Sequence, residues 1–498
     1  MNDVIVIGAG VAGLVAARAC ARMGLSVTVF EAADAVGGPV AGHEIAGLQL
    51  DSGTESFAVR GGTVAAFIEE LGLTGDIVSP NPVGAWLHLP PVGRNATGSV
   101  SVPLPKAGVL GIPGSPLADD VRRVIGWGGS LRAYLDRLMP VLTIGREHSL
   151  GDLVAKRMGR RVLERLVEPV ASGVYTTSSR DLEIDVVAPG LNRALTTAGS
   201  LSGAVSAMRS GAPAGSAVGG LRGGMSRLPA ALVADLRHFG ATIETGRTVT
   251  GLARAGTEAE PAWTVTVATR PPATAADAAV SEAPAPDPVE RHRARFVILA
   301  TQGAQALRLL APLGAAQDAL SELDWPGPTA VTLATIVLDA PALDSHPRGT
   351  GVLVAAAAPD VTAKALTHVT AKWKWVAEAA GAGRHVVRLS FGRAGESNPT
   401  DALDDAEFQA LALHDAAIIL GVDLPTASVV GFARTEWRDA LSPVTLGAPE
   451  RVARVREVLL DTPGIDVTGA WLAGTGLASV IPDALAAAGR IRQASLGL

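Results

Sequence analysis

Gly8, Gly10 and Gly13 follow an apolar, β-branched run at residues 3–7 and precede a helical stretch at 14–23. In such a strand–turn–helix unit, the first glycine permits a tight turn. The second lets the backbone approach a pyrophosphate, and the third lets the helix pack closely against the strand. The helix start offers free N–H groups and partial positive charge to phosphates. The spacing therefore predicts that this turn binds a dinucleotide.

A second strand at residues 26–30 ends on Glu31, eighteen residues after Gly13. A carboxylate there can accept hydrogen bonds from ribose hydroxyls, whereas a 2′-phosphate would meet like charge. A lone glycine motif is a weak signal, and the alternative is a strand-to-helix turn that binds nothing. The complete unit of strand, turn, helix and acid favours the dinucleotide.

The elements that position this turn belong to a chain of 498 residues. Such a chain is too long for one hydrophobic core, so two or three domains are expected.

The net charge of −6 and the lack of a basic stripe argue against a nucleic-acid partner. The chain has no uninterrupted run of eighteen apolar residues, so no membrane-spanning helix is expected. Contact with a membrane surface is left open. The first apolar run is the first strand, so no secretory signal is expected. The single cysteine, Cys20, cannot form an internal disulfide, and no metal site is predicted.

The pattern of elements predicts an α/β chain in which distant segments form one dinucleotide-binding domain. A second glycine-rich turn at 219–224 precedes a helix. The chain closes with the turn Gly474-Thr475-Gly476 and another helix. The Pro/Ala/Asp/Glu stretch at 270–290 predicts a mobile loop. The predicted units are a dinucleotide-binding domain at 1–85, 215–305 and 458–498, a helical insertion at 86–214, and a mixed-sheet substrate domain at 306–457.

Several segments together resemble the two-domain FAD oxidases, a group that includes amine oxidases, phytoene desaturases and porphyrinogen oxidases. These segments are residues 6–14, 31–38 and 474–490. Further segments resemble the oxygen-dependent porphyrinogen oxidases, which act on protoporphyrinogen or coproporphyrinogen. They are the Asp-x-Gly turn at 51–57, the Leu-Pro and Gly-Ile-Pro elements at 104–113, the Glu-Pro element at 168–175, the Lys-Trp element at 367–373 and the Trp-Arg-Asp-Ala element at 437–443.

This resemblance implies an amine-oxidase-like flavoprotein with a Rossmann-like FAD-binding domain, a mixed-sheet substrate domain and a helical insertion. It implies non-covalent FAD. The pyrophosphate is expected at 9–13, the adenosine ribose at 31–32, the adenine at a backbone group of residue 249, and the isoalloxazine end at 53–56, flanked by 437 and 475–477. The residues expected at the cofactor are Gly8, Ala9, Gly10, Val11, Ala12, Gly13, Glu31, Ala32, Gly38, Gly53, Thr54, Glu55, Ser56, Val249, Trp437, Gly474, Thr475, Gly476 and Leu477.

The expected substrate contacts are Gly173, Tyr175 and Lys372. Gly173 would admit a flat ring, although a helix C-cap is an equally good reading of it. Tyr175 could line the same slot or belong to the core, and Lys372 could bind a propionate or lie in a surface strand. Departures from the family pattern leave carboxylate recognition open. Pro39 stands where the family usually has a basic residue. No arginine stands at the sequence positions around Ala85 and Trp86, where some members have one. Arg60 and Lys106 are further candidates for a carboxylate contact.

The reaction implied by the resemblance is removal of six electrons from a porphyrinogen, with dioxygen reoxidising the flavin, in haem biosynthesis. The flavin performs this chemistry, so no catalytic side chain is expected. Coproporphyrinogen III is favoured over protoporphyrinogen IX. An amine oxidase or desaturase and a non-catalytic flavoprotein that carries tetrapyrrole are the alternatives, and an NAD-dependent dehydrogenase is disfavoured. A cytoplasmic location is expected, and docking of a ferrochelatase-type partner stays open.

Overall fold

The computed structural model describes residues 2–91, 98–106, 108–140, 146–210, 217–256, 261–269, 289–313, 320, 323–327, 329–441 and 444–497. Within these residues the chain forms two seven-stranded sheets, three small sheets and a helical region. No helix in the described ranges is both long and apolar enough to cross a membrane.

The first sheet is built around Asn2–Ile7, which runs parallel to its neighbours on both sides. Val4 and Val6 face one core cluster, and Ile5 and Ile7 face another, as the two-residue period of a strand requires. The strand order is Thr242–Glu244, Val27–Phe30, Asn2–Ile7, Val289–Leu299, Pro261–Thr269 and Arg247–Gly256, with Ile465–Val467 also paired to Val289–Leu299.

Helices cover both faces of the first sheet, because its strands are apolar on both sides. Val11–Ala21, Arg227–His238 and Leu477–Ser495 pack on one face. Gly303–Leu310 and Ala448–Leu460 pack on the other, where Ala306 and Val455 join the cluster of Ile5. Both of these helices overlap the range 306–457 that the sequence assigned to a substrate domain. The boundaries of the first domain are therefore wider than predicted.

The second sheet is mixed, and two of its strands come from the range predicted as a helical insertion. Trp86–Leu89 pairs in parallel with Gly351–Val354, and Val100–Pro103 follows it at the edge. The range 86–214 is thus not helical at its start, which corrects the predicted boundary. The order is Val429–Leu441, Thr329–Asp339, Arg384–Phe391, Ala365–His368, Gly351–Val354, Trp86–Leu89 and Val100–Pro103.

The helix Asp405–Leu420 covers one face of the second sheet, with Phe408 packed against Phe391. The other face meets Trp373 and Leu50, so the hairpin of the first domain lies against it. Short elements connect the sheets. They are Gly42–Ile45, Leu48–Asp51, Phe57–Ala58, Thr63–Glu70, Thr74–Asp76, Ile77–Val78, Val218–Leu221, Pro341–Leu343, Val369–Lys372, Lys374–Ala380, Thr426–Ser428 and Ala470–Ala473.

A buried carboxylate, Asp136, connects three segments of the helical region. It accepts hydrogen bonds from the Arg157 guanidinium (2.5 Å) and from the backbone N–H groups of Leu201 (3.0 Å) and Ser202 (2.8 Å). One side chain thus ties together three segments. The elements of this region are Gly108–Val109, Ile112–Pro113, Asp119–Tyr134, Leu135–Leu138, Leu150–Met158, Arg160–Val162, the π-helical turn Leu163–Val167, Glu168–Tyr175, Ile184–Val187, Leu191–Ala198 and Leu201–Ser210.

The loop predicted at 270–290 lies outside the described residues, except for its last two positions. Val289 and Glu290 begin the strand Val289–Leu299 and pair with Pro261–Thr269. These two residues therefore belong to the sheet, because their pairing continues the ladder.

Candidate functional site

The glycine turn joins Asn2–Ile7 to Val11–Ala21, as its spacing predicts, and its three glycines have different surroundings. A Cβ on Gly8 would lie 2.7 Å from the Ala300 carbonyl oxygen, and one on Gly13 would lie 1.9 Å from the Gly8 oxygen. A Cβ on Gly10 would meet no atom within 4 Å. Gly8 and Gly13 are therefore required by the packing of the protein itself. Gly10 instead borders open space at the helix start, where an anion is favoured.

Glu31 lies at the same edge as the glycine turn. Its carboxylate accepts hydrogen bonds from the backbone N–H groups of Ala9 (2.6 Å) and Ala33 (2.9 Å). Ala32 is exposed beside it. The strand order places the acid where the sequence predicts it, next to the turn.

The carboxy-terminal glycine turn, Gly474-Thr475-Gly476, precedes the helix Leu477–Ser495, which packs against Val11–Ala21. Gly474 has a φ of +92°, and a Cβ on Gly476 would meet no atom within 4 Å. Thr475 is partly buried between these glycines, and Leu477 is buried in the core shared with the first helix.

A further glycine pair borders the first turn. The Gly37 N–H donates to the Ala9 carbonyl (2.8 Å), and a Cβ on Gly38 would lie 3.6 Å from the Gly10 Cα. The structure therefore brings Gly38 to the predicted pyrophosphate position.

The turn at 51–56 is held by two side chains from the second sheet. Arg388 donates to the carbonyls of Asp51 (3.1 Å) and Gly53 (2.9 Å), and the Trp437 indole N–H donates to the Ser52 carbonyl (2.9 Å). Trp437 thus lies at this turn, as the resemblance implies.

Close packing explains the glycine within the turn. A Cβ on Gly53 would lie 2.2 Å from the Pro39 carbonyl oxygen and 3.2 Å from the Trp437 ring. The Thr54 N–H donates to the same Pro39 carbonyl (2.8 Å), and Ser56 is partly buried. Pro39 therefore contributes its carbonyl at the place where the resemblance led us to expect a basic side chain.

Glu55 and Lys372 form an ion pair with each other, whereas we had expected one at the cofactor and the other at the substrate. Arg388 pairs with the second Glu55 oxygen (2.9 Å), and all three side chains are largely buried. Burial raises the pKa of Glu55, but the charges of Lys372 and Arg388 outweigh it and leave the pKa below its usual value. The Lys372 ammonium thus neutralises Glu55, and the structure does not support a carboxylate contact for it.

Asp51 is a buried acid on the same turn, and one of its oxygens accepts a hydrogen bond from the Met225 N–H (2.7 Å). Burial raises the pKa of Asp51 to about 7, although the nearby charge of Arg388 opposes this shift. A small cavity lies between Asp51, Glu55, Thr335 and Trp373. The Thr335 hydroxyl is buried and has no hydrogen-bond partner among the described residues.

Val249 lies in Arg247–Gly256 and is buried against the core of the first sheet. Its carbonyl accepts a hydrogen bond from the Gln305 amide (3.2 Å), and the strand has an irregularity between Val249 and Gly251. The predicted contact of its backbone with adenine remains a prediction.

Gly173 lies inside the helix Glu168–Tyr175, and the residue that ends this helix is Thr176, with a φ of +62°. The reading of Gly173 as a C-cap is therefore wrong. A Cβ on Gly173 would lie 2.6 Å from a methyl carbon of Leu353, so Leu353 occupies the space expected for a flat ring. Tyr175 packs partly buried beside the helical core, and burial raises its pKa.

Arg60 and Lys106 are both exposed. Two other cations, Lys364 and Arg393, lie near the end of the Tyr175 helix and were missed by sequence reasoning. The Lys364 ammonium donates to the Thr176 hydroxyl (2.7 Å) and its side chain is buried. Its only sequence signal is a lysine in the small, apolar run 363–366, a pattern typical of a buried strand.

His346, His368 and His385 form a cluster in the second domain. His368 and His385 approach to 3.1 Å between ring nitrogens, and Asp344 bonds to the other His385 nitrogen (2.9 Å). Burial, with the neighbouring rings, lowers the pKa of His368 to about 3. In the described part of the chain, no group of three or more His, Cys, Asp or Glu side chains is arranged to hold a metal ion.

Two glycine turns at the starts of packed helices and an acid beside the first turn define a dinucleotide-binding domain, which is joined to a second domain built on a mixed sheet. A model of the flavin-containing amine oxidoreductase family matches residues 11–492, and the chain belongs to this family.

Curated relatives extend over almost the full chain. Coproporphyrinogen III oxidase of Mycobacterium leprae (strain TN) is 29% identical over 98% of this chain and 97% of its own length. The protein of the same name from Bacillus subtilis (strain 168) is 24% identical over 98% of this chain and 97% of its own length.

Solved structures share the fold. A protein from Exiguobacterium sp. 255-15, provisionally named protoporphyrinogen oxidase, superimposes with a TM-score of 0.78 at 24% identity, over 100% of this chain and 99% of the other. Cyclohexylamine oxidase from Brevibacterium oxydans IH-35A gives a TM-score of 0.64 at 15% identity, over 100% of both chains. The predicted amine-oxidase-like α/β fold is confirmed.

The residues of the chain fit FAD, which the family implies as the cofactor. Gly10 and Gly476 each leave open the space that a side chain would fill, at the start of a helix. An anionic diphosphate is favoured at such a position. Glu31 supplies acceptors suited to ribose hydroxyls at the adjacent strand end.

Replacing Gly10 or Gly13 with valine should separate cofactor binding from folding. Gly10→Val should keep the wild-type far-UV circular dichroism but purify without flavin, because the new side chain fills the space of the pyrophosphate. Gly13→Val should lose both the wild-type circular dichroism and the flavin, because the new Cβ overlaps the Gly8 carbonyl. Visible absorbance measures the flavin. A Gly10→Val protein with stoichiometric flavin would contradict the assignment of this turn.

Removing Lys372 should destabilise the protein by about 3 kcal/mol, because Glu55 then stays buried with only Arg388 as a partner. Adding Glu55→Gln to Lys372→Met should recover much of this loss. Urea unfolding of the flavin-loaded protein measures both. Lys374→Met is the control, since Lys374 is exposed in a surface pair and should change stability by less than about 0.5 kcal/mol. If the double variant loses the sum of the unfolding free energies lost by Lys372→Met and Glu55→Gln alone, the two side chains do not form a buried pair.

Asp51 should make stability fall as the pH rises from about 4 to about 7. The pKa of Asp51 is raised from 3.8 to about 7 in the native state, so the native state holds a proton that the unfolded chain has released. The resulting stability is complete below about pH 4 and is lost through pH 7. Asp51→Asn keeps an acceptor for Met225 and should flatten this slope. Melting temperatures across the range test it, and an unchanged slope would count against a protonated Asp51.

Proposed function

We propose that this protein is a porphyrinogen oxidase whose substrate is coproporphyrinogen III and whose electron acceptor is dioxygen. The observation that carries this proposal is similarity over nearly the whole length to relatives named coproporphyrinogen III oxidase. The fold alone supports only a flavin oxidoreductase, because cyclohexylamine oxidase shares it. A cytoplasmic location and a ferrochelatase-type partner remain predictions.

When bound, FAD supplies the acceptor for the two electrons that leave the substrate in each of three steps. The protein contributes position. Arg388 and Trp437 hold the turn at 51–56 against the second sheet, so the flavin end of the site has a rigid support. Leu353 fills the space beside Gly173, so a flat macrocycle would lie against Leu353 and Tyr175 and not against Gly173 itself. No side chain is required as a base, because aromatisation drives the loss of the pyrrole protons.

Protoporphyrinogen IX is the second candidate substrate. The structure that superimposes at a TM-score of 0.78 carries that provisional name. The two substrates differ in charge, since coproporphyrinogen has four carboxylates and protoporphyrinogen has two. Selectivity between them therefore depends on how many carboxylates the protein binds.

Anaerobic mixing of the flavin-loaded protein with each porphyrinogen tests the proposal. Coproporphyrinogen III should bleach the visible flavin absorbance, and air should then restore it with the appearance of porphyrin fluorescence. Six electrons correspond to about three molecules of peroxide per porphyrin. Flavin-free Gly10→Val and a protein-free mixture measure autoxidation. A flavin that neither porphyrinogen reduces would defeat the proposal, and reduction by cyclohexylamine instead would favour an amine oxidase.

A further inference from the structure

Lys364 and Arg393 are two neighbouring cations that form no ion pair with a carboxylate of the described residues, although the charges of Glu396 and Glu168 act on Arg393. Lys364 is 2% exposed, and among the described residues its ammonium donates to the neutral Thr176 hydroxyl at 2.7 Å. The Arg393 guanidinium makes no hydrogen bond or ion pair with any described residue, and its Nη1 is buried without a partner. Buried cations in proteins are normally paired, so this arrangement calls for an anion.

The nearby acids are occupied or exposed. Glu168 accepts hydrogen bonds from both the N–H and the hydroxyl of Ser179, and Asp415 accepts from the N–H groups of Thr362 and Ala363. Glu396 is exposed to solvent near Arg393. Burial, and to a lesser degree the charge of Arg393, lowers the pKa of Lys364 to about 7, as expected for a cation without a counterion.

Backbone hydrogen bonds place both cations at the predicted substrate slot. The Ala394 N–H donates to the Thr176 carbonyl (2.8 Å), which ties the Arg393 segment to the end of the Tyr175 helix. The Val354 N–H donates to the Lys364 carbonyl (3.0 Å), which ties Lys364 to the strand that carries Leu353.

The same chain segment connects this pair to the flavin end of the site. Arg388 holds the turn at 51–56, and Arg393 follows it by five residues along one segment. Five residues of extended chain span at most roughly 17 Å. A flat macrocycle that lies against Leu353 could thus have one edge at the flavin and a carboxylate at Arg393.

We propose that Arg393, with Lys364 behind it, binds a carboxylate side chain of the substrate beside Leu353 and the end of the Tyr175 helix. This inference rests on the proposed function, because it takes a carboxylated tetrapyrrole as the ligand. Arg393 is partly exposed and makes the contact. Lys364 adds positive charge from the buried side. A guanidinium with free N–H donors suits a carboxylate, which it can bind through two hydrogen bonds.

Titration of the flavin-loaded protein with oxidised coproporphyrin III tests the site. Arg393→Gln should weaken binding by about tenfold or more, the usual effect of losing a charged hydrogen bond. Its flavin content should stay unchanged. The tetramethyl ester of the same porphyrin, which carries no charge, should bind wild type and Arg393→Gln within about twofold of each other. The KM for coproporphyrinogen should rise with little change in kcat.

Lys364→Met should weaken binding of the tetracarboxylate and raise the melting temperature. A methionine buries the same stem without an unpaired charge, whereas a purely structural lysine would destabilise when replaced. If Arg393→Gln fails to fold, Arg393→Lys keeps the charge and should bind with intermediate affinity.

Arg384→Gln is the matched control, because Arg384 begins the strand that precedes Arg393 and makes an exposed pair with Asp339. It should bind the porphyrin like the wild type. Unchanged affinity in both Arg393→Gln and Lys364→Met would overturn the carboxylate site. If the wild type oxidises porphyrinogens in that case, the proposed function survives. A wild type that oxidises no porphyrinogen overturns both.

Discussion

Arg388 fixes the turn at 51–56, the predicted flavin end of the site, because it binds two backbone carbonyls and a carboxylate of this turn at the same time. Its guanidinium donates to the Asp51 and Gly53 carbonyls and pairs with Glu55. The arginine comes from the second sheet and the turn from the first domain, so this contact sets their relative position. A planar, permanently charged fork can satisfy several acceptors that lysine could not reach together. Trp437 completes the same anchor through the Ser52 carbonyl.

Burying these charges is tolerable only because they compensate one another. Glu55 lies between Lys372 and Arg388, and burial raises the pKa of Asp51 to about 7, which favours its neutral form. An unpaired charge in the same place would be costly. The chain therefore maintains a polar network beside the predicted cofactor without leaving an isolated ion. This places the ammonium of Lys372 in a structural role.

The local parts of the site could be predicted from residue spacing, whereas distant contacts could be predicted only where the family resemblance implied them. Gly8, Gly10 and Gly13 act within one turn, so their spacing alone defines the steric requirements that the structure shows. Lys372 meets Glu55 across 317 positions, and no periodic pattern encodes that pairing. For the same reason the sequence places residues 86–89 in the helical insertion, although their alternating pattern predicts a strand, since the strand that pairs with them lies far along the chain. The resemblance implied Trp437 beside the turn at 53–56, but it gave no ion-pair partner for Lys372 or Glu55.

The two ends of the site differ in how their charges are balanced. At the predicted flavin end, Glu55 offsets one of the two charges of Lys372 and Arg388, and the Arg388 guanidinium also donates to two backbone carbonyls, so both cations are engaged within the protein. At the far end, no described acid forms a hydrogen bond or ion pair with Lys364 or Arg393, although the charges of Glu396 and Glu168 act on Arg393. A carboxylated macrocycle that enters the slot would therefore be oriented with an acidic edge away from the flavin. Discrimination by charge would act there, at a distance from the oxidised carbon, and electron transfer would depend on the position that this edge fixes.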